Sequence, residues 1–470
     1  MAQTNKSTVQ LRKLLTDRQK AAEKAVASGK LTAHQRMDIL FDEGTFVETG
    51  AYISKKKTEL DIGNGEDFEP VVTGYGAIDG TLVYAFSQDF SRLSGALGEA
   101  HAKKICDLYN MALRSEAPII GVFDSAGAKI LEGVDALAGY GSVMEKAAQA
   151  KSVIPQIAVI SGPCGGSSAV IARMFDILVI AKKTGSLYIA PSSILSDKTL
   201  GTAERLAKDG IVALTAEDDA SAVRTARTLI PFFGAMIETT DDANRAVDVE
   251  ALIAGGNYDI HTVIAQIVDN GVFTEFYAEH ASSMVCGFAS INGRVTGIVA
   301  NNPAVNGGKL CPCAAEKAAD FIDLCTGFEI PVLTLVDSDG VAMKDKAEEK
   351  DISLKLAKLA YAYTDPSSDK VTVVLGKAFG TTYTVMGAKS LGVNVALALD
   401  SAKIAAMEPE RAVEFLGNVK DESKKSEIAA DWADKFASPL QAAKAGHIDD
   451  IIEASELRAR IASAFEMLAF

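Results

Sequence analysis

The stretch ISGPCGGSSAV, residues 160–170, lies between the apolar runs VIPQIAV (153–159) and AVIARMFDILVIA (169–181). An apolar run that enters glycines and small residues, then a helix, lets something approach the main chain where a Cβ would otherwise intervene. Three visitors are considered: a phosphate, a carbonyl attacked by a serine, and a developing oxyanion. A phosphate loop needs G-x-x-x-x-G-K-[ST], a dinucleotide fold G-x-G-x-x-G, and neither is present. Gly165-Gly166-Ser167-Ser168-Ala169 lacks the closing glycine of a G-x-S-x-G nucleophile elbow, and none of the five histidines holds a telling position. The oxyanion reading asks only for N–H groups at the positive end of a helix. Against it stands a plainer alternative, in which Gly165 and Gly166 merely allow close helix–strand packing.

The rest of the chain bears on that choice through a repeat. Residues 74–89, GYGAIDGTLVYAFSQD, match 287–302, GFASINGRVTGIVANN, at an offset of 213, and APIIGVFDSAG (117–127) matches IPVLTLVDSDG (330–340) at the same offset. SGPCGGSSA (161–169) falls opposite GKAFGTTYT (376–384) with a small drift in register. A period this long means duplicated domains rather than solenoid units. Each copy reads as a hairpin with a type I′ turn, Asp79-Gly80 or Asn292-Gly293. A helix follows (GEAHAKKICDLYNMALRSE in the first copy, with Ala102, Ile105, Tyr109 and Leu113 on one face), then a buried strand (PIIGVFD; PVLTLVD) and a small-residue loop. A second helix, a second strand and the Gly-rich turn complete the copy. The fold class is therefore α/β, two tandem domains from an internal duplication. The expected organisation is an N-terminal helical segment 1–44, a first domain 45–240, a linker 241–269, a second domain 270–421 and C-terminal helices 422–470.

Four hundred and seventy residues suit two domains, and a net charge of −15 excludes a general nucleic-acid binder. Six cysteines form no disulfide framework, the histidines have no zinc spacing, and Cys311-Pro312-Cys313 reads as a loop rather than a metal site. No metal is expected. The N-terminus lacks an apolar signal core and no stretch approaches a membrane span, so a cytoplasmic, reduced protein is expected.

Taken together, GKLTAHQRMDILFDEGTFVE (29–48), VVTGYGAIDGTLVYAFSQDFSRLSGALGEAHAKKI (71–105), DSAGAKILEGVDALAGYG (124–141), IPQIAVISGPCGGSSAV (154–170), GIVANNP (297–303) and KVTVVLGKAFGTTYTVMGAKSLG (370–392) resemble the carboxyltransferase subunits of biotin-dependent acyl-CoA carboxylases and decarboxylases. The resemblance implies two crotonase-like domains, each a spiral of ββα units. It implies an acyl-CoA thioester on the first domain, its carbonyl held by N–H groups of Gly165, Gly166 and Ser167, with Ala126 and Gly127 beside them. Biotin, on a separate carrier protein, would meet Gly380, Thr381 and Thr382 on the second domain of a neighbouring subunit, with Gly340 and Phe379 in its pocket. SRLSGALGE (91–99) matches a stretch near coenzyme A in the family, which places Arg92, Gly95 and Ala96 there; Arg92, Lys103 and Lys104 are candidates for its phosphates, although lysines on such a helix are commonly a solvated face. Biotin carboxyl carrier protein, biotin carboxylase or membrane decarboxylase subunits, and a homo-oligomer (dimer or hexamer) are the implied partners.

The match frays in places. DSDGVAMKDKAEEKDISLKLAK (337–358) is polar where the family has a Pro-Gly loop, GTTY replaces a Gly-Gly or Gly-Ala turn, and Ala126 and Lys129 stand where Gly and Arg are common. The acyl group and the direction of transfer stay open. So do two other functions: a stand-alone crotonase-type hydrolase or isomerase, for which Glu132 is the nearby acid or base and otherwise a packing residue, and a non-catalytic assembly subunit. Ala342-Met343-Lys344 contains the core of a biotinylation motif in the wrong context and is set aside.

Overall fold

The computed structural model describes residues 8–469 except 28, 55–67, 344, 346–347, 349 and 418–423; Lys344 thus lies outside the described residues. The chain divides into two compact units, Met1–Pro231 and Phe232–Phe470. In the first, the strands are β1 (Val47–Thr49), β2 (Val71–Ile78), β3 (Thr81–Gln88), β4 (Ile119–Ser125), β5 (Gln156–Gly165), β6 (Ile177–Ala181), β7 (Ser186–Tyr188) and β8 (Leu214–Ala216). They pair in the order β1-β2-β3-β4-β5-β6-β8, with β7 also on β5. In the second they are β9 (Phe273–Phe276), β10 (Met284–Ile291), β11 (Arg294–Asn301), β12 (Val332–Ser338), β13 (Lys370–Phe379), β14 (Val395–Leu399), β15 (Lys403–Ala405) and β16 (Asp450–Ile452). Their order, β9-β10-β11-β12-β13-β14-β16 with β15 on β13, is the same.

The hairpins form where Asp-Gly and Asn-Gly supply two consecutive positive φ angles, 49° and 79° at Asp79-Gly80 and 51° and 76° at Asn292-Gly293. Beyond β3 and β11 the pairing turns parallel. A parallel strand is covered on both faces, which is why β4 (IIGVFDS) and β12 (VLTLVDS) are buried along their whole length. The helix Glu99–Arg114 makes the first crossover; Ala102, Ile105 and Tyr109 are buried on the first core and Leu113 packs partly against it.

The expected domain limits differ from these units at three places. The units part at Pro231, short of residue 240. Residues 241–269 are no linker: Val247, Val249, Ile253, Tyr258, Val263, Ile264 and Ile267 belong to the second core. Nor are residues 422–470 an appendage, since β16 pairs with β14 and Leu457, Ile461 and Phe465 lie in that same core. Apolar periodicity at these ends is helical in either case; only packing shows which sheet the helices cover. Cys311, expected in a loop, is the residue that precedes the helix Pro312–Gly327. No helix among the described residues is long and apolar enough to cross a membrane.

The N-terminal segment is tied into the first unit through Arg36. The helix Ala33–Leu40 starts in a capping box, Thr32 with Gln35, and sends the fully buried Arg36 inward. Its guanidinium donates to Asp219 (2.8 Å), Asp124 (2.7 Å) and the Gln88 carbonyl (3.2 Å), and Asp124 also accepts from Lys30 (2.7 Å). Gly162 makes room for this cluster: a Cβ there would lie 1.8 Å from an Asp124 oxygen. Removing one partner of a buried charge network leaves the other uncompensated. Asp219→Ala is therefore expected to lose about 3 kcal/mol of stability, read as a fall in the urea midpoint.

Candidate active site

Each sheet contains one strand that changes neighbour partway. β5 pairs with β6 over Ile157–Ile160 and with β7 over Pro163–Gly165; β13 pairs with β14 over Val371–Val374 and with β15 over Lys377–Phe379. At the end of each stands a glycine with a backbone that side chains rarely tolerate: Gly166 (φ 59°, ψ −129°) and Gly380 (φ 56°, ψ −133°). The helices Ser167–Arg173 and Thr381–Val385 begin immediately after. A Cβ on Gly165 would meet the Tyr188 ring at 2.7 Å, whereas one on Gly166 would meet nothing within 4 Å, so the turn fronts open space.

The structure narrows the set of donors. Gly166 N–H already donates to the Tyr188 carbonyl (2.9 Å), Ala126 N–H to the Ser94 carbonyl (2.9 Å) and Gly127 N–H to the Ser125 hydroxyl (3.1 Å). Gly165 is paired in strand β5 beside Tyr188. Of the expected first-unit donors, Ser167 is the one at a first helical position, where no intrahelical acceptor exists. Ser168 shares that property and was not singled out by the sequence; its counterpart in the repeat is Thr382. The second unit repeats the pattern: Gly380 N–H donates to the Ala405 carbonyl (2.9 Å) and Gly340 N–H to the Ser338 hydroxyl (3.1 Å), leaving Thr381 and Thr382 at the helix start. Thr382 is wholly buried and its hydroxyl has no partner, so its side chain is closed to a ligand, whereas Thr381 lines a cavity of the second unit.

Two further segments converge on each turn. In the first unit the loop 125–129 runs beside residues 92–97, with Leu97 N–H donating to the Gly127 carbonyl and Lys129 N–H to the Leu97 carbonyl. Gly95 (φ 65°) sits so close to the Asp124 carbonyl that a Cβ would lie 2.2 Å from it; its N–H donates to the Arg92 carbonyl (2.9 Å), and Ala96 follows it. In the second unit Gly340, Phe379, Gly380 and Thr381 line one cavity of about 760 Å³, with Met343, Met407 and Phe415 among its apolar walls. That volume lies in the range of small-molecule sites.

Glu132 is more than packing. Its carboxylate accepts from Lys129 (2.5 Å) and from the Glu99 N–H (2.7 Å), which holds the loop after Gly127 against a helix start; Gly98 lacks the Cβ that would collide with it. Lys104 is withdrawn from the phosphate candidates, because it is buried and donates to the Val71 carbonyl (2.6 Å), with burial pulling its pKa down to about 8. Lys103 pairs with Asp107 on the exposed face. Burial pushes the Cys164 thiol far up and, with the charges of Lys104 and Lys129, pushes His101 down to about 3. Neither a thiolate nor an imidazolium is available at neutral pH.

A duplicated α/β spiral with a glycine turn and a helix start in each half defines an acyl-transfer class of site. The chain matches the carboxyl transferase domain over residues 24–469, and it belongs to that family. It is 38% identical over 476 residues to the methylmalonyl-CoA decarboxylase subunit alpha of Propionigenium modestum (96% of this chain, 92% of that protein). It is 36% identical over 483 residues to the propionyl-CoA carboxylase beta chain of Roseobacter denitrificans (96% and 93%). Among solved structures, transcarboxylase 12S, described as a hexamer assembly with hydrolysed methylmalonyl-coenzyme A bound, superposes with a TM-score of 0.93 at 33% identity, covering 100% of this chain and 96% of that one.

His101 also makes stability depend on pH with a definite sign. In the unfolded chain an imidazole takes its proton near pH 6.5, whereas the folded protein resists protonation until about pH 3. Between these values the unfolded state binds more protons, so stability is present above about pH 6.5 and lost as pH falls toward 3. His101→Gln should flatten the thermal-midpoint profile between about pH 6.5 and 4, while the parent falls through that window.

Proposed function

We propose that this chain is the carboxyltransferase component of a biotin-dependent acyl-CoA carboxylase or decarboxylase, acting on short-chain acyl-CoA of the propionyl/methylmalonyl class. The observation that carries the reading is the paired turn, Gly166 and Gly380, with nearly equal dihedral angles and a helix start immediately after each. The methylmalonyl- and propionyl-CoA names of the relatives, and the methylmalonyl-CoA found with transcarboxylase 12S, support the substrate class. Biotin is carried on a separate carrier protein that works with biotin carboxylase or membrane decarboxylase subunits, and the chain acts as a homo-oligomer in the cytoplasm, the second unit serving the first unit of a neighbouring copy. A hexamer is favoured by the description of transcarboxylase 12S.

The biotin ring fits the second cavity: a flat bicyclic ureido group wants apolar walls, supplied by Phe379, Met407 and Phe415, and an N–H donor for its carbonyl oxygen, supplied by Thr381 at the helix start, with Thr382 buried behind it. In the transfer the bond between the acyl Cα and the carboxyl carbon breaks, a bond from that carbon to a ureido nitrogen forms, and the nitrogen's proton passes to Cα; carboxylation is the reverse. The chain's own part is electrostatic. Ser167 and Ser168 N–H groups hold the thioester oxygen as negative charge builds on it, at the positive end of the helix. A single such donor is worth roughly 10²–10³ in rate in other enzymes. Arg92, Gly95 and Ala96 are assigned to coenzyme A. His101 is buried and neutral, Cys164 is protonated, and the Glu132 carboxylate is engaged by Lys129 and the Glu99 N–H, which disfavours the crotonase hydrolase alternative.

The test is biotin-dependent loss of the carboxyl group from methylmalonyl-CoA, followed by mass spectrometry of the CoA products. Gly166→Val should lose at least roughly 10²-fold in turnover, since the side chain would occupy the thioester's place and oppose the turn. Ser167→Ala and Thr382→Ala keep their N–H groups and should stay within about threefold. Loss in Ser167→Ala equal to that in Gly166→Val would make the hydroxyl chemical and end the backbone reading.

A further inference from the structure

The two halves of the repeat differ in charge at one place beside the turn. In the first unit Ala126 N–H donates to the Ser94 carbonyl; in the second Asp339 N–H donates to the Gly307 carbonyl, also at 2.9 Å. Ser94 carries a side chain at φ 50°. Its counterpart Gly307 (φ 63°) carries none, and a Cβ there would lie 2.2 Å from an Asp339 oxygen. The second unit has thus cleared one side chain to seat a carboxylate on the wall of the cavity, where the first has Ala126. Where the first unit has Pro163, the second has Lys377, whose ammonium bonds that carboxylate at 2.9 Å. The side chains of the pair are 42% and 32% exposed, and ion pairs so placed contribute little to stability. The other carboxylates lining the cavity are matched as well, Glu408 by Arg411 (3.3 Å) and Glu414 by Lys425.

We propose that Lys377, acting through Asp339, keeps the wall of this cavity electrically neutral, so that it accepts a ligand that alternates between an uncharged and a carboxylated form. The inference rests on the reading that the cavity takes the biotin ring. Without the ammonium, Asp339 stands as a bare anion beside the carboxyl group as it arrives on the ureido nitrogen. Uncharged biotin feels this little, while the anionic product and the transition state leading to it feel it fully. Lys377 is a positioning residue in this scheme, since it touches Asp339 and not the reacting atoms.

The experiment measures transfer from methylmalonyl-CoA to free biotin with the full chain. Lys377→Met should lower kcat roughly tenfold and leave KM for biotin within about twofold, and added salt should shrink the defect. Lys377→Gln, which keeps an N–H for Asp339 without the charge, should show the same fall. The double variant Asp339→Asn/Lys377→Met should recover kcat to within about threefold of the parent. Parent-like kcat in Lys377→Gln, or a double variant no better than Lys377→Met, would overturn the proposal; a purely structural bridge would give both. Gly380→Val runs in parallel. If biotin-dependent transfer survives it, the assignment of biotin to this cavity fails and the charge proposal with it. If transfer is lost there but unchanged in the Lys377 variants, only the charge proposal fails.

Discussion

A strand that must serve two neighbours in succession is the constraint on which the rest depends. β5 hydrogen-bonds β6 with its first half and β7 with its last three residues, and β13 does the same with β14 and β15. Where each strand ends on its second partner, the chain enters a helix through a backbone conformation near φ 60°, ψ −130°, which glycine adopts without strain. The helix start that results has N–H groups without an intrahelical acceptor. A donor pair built on main chain is rigid, needs no particular side chain, and survives the exchange of Ser167-Ser168 for Thr381-Thr382 between the two halves.

The same scaffold supports different electrostatics in its two copies. Asp124 and Asp337 occupy equivalent places at the ends of β4 and β12. Asp124 is surrounded by Arg36 and Lys30. Asp337 instead accepts from the Tyr258 hydroxyl (2.9 Å) and the Lys377 N–H (2.9 Å), and burial raises its pKa. Gly162 and Gly376 each yield the space that their aspartate fills. Around the first turn, the charges are locked inside as Lys129 and Glu132; around the second they line the cavity itself. Duplication preserved the hydrogen-bond skeleton, and divergence acted on charges that a ligand would meet.

Much of this was legible in the residues. Apolar runs of two periods, the Asp-Gly and Asn-Gly turns and a repeat at an offset of 213 led to two α/β copies and to the glycine turns, because local patterns report local geometry. The helix Val134–Ala150 and the strands around Ile120 and Val373 follow the pattern closely. What was misread lies where the partner is distant in sequence. Residues 241–269 looked like a linker because their helices are short, yet their apolar faces belong to the second core. Lys104 was open to two readings, a phosphate ligand or a solvated face, and is neither, because its charge and alkyl chain say nothing of the Val71 carbonyl that receives it.

By itself, then, the sequence determined that there are two copies, where each glycine turn falls, and the family to which both belong, since these follow from composition, spacing and near-identity along the chain. Tertiary structure alone decided where N–H groups are spent: Gly166, Gly380, Ala126 and Gly127 give theirs to Tyr188, Ala405, Ser94 and Ser125, while the residues after Gly166 and Gly380 begin a helix and have no intrahelical acceptor. It also decided that Asp339 and Lys377, 38 positions apart, act as one neutral pair. Hydrogen bonds and charge compensation are properties of atoms brought within about 3 Å, and no local pattern records which distant residues will be brought there.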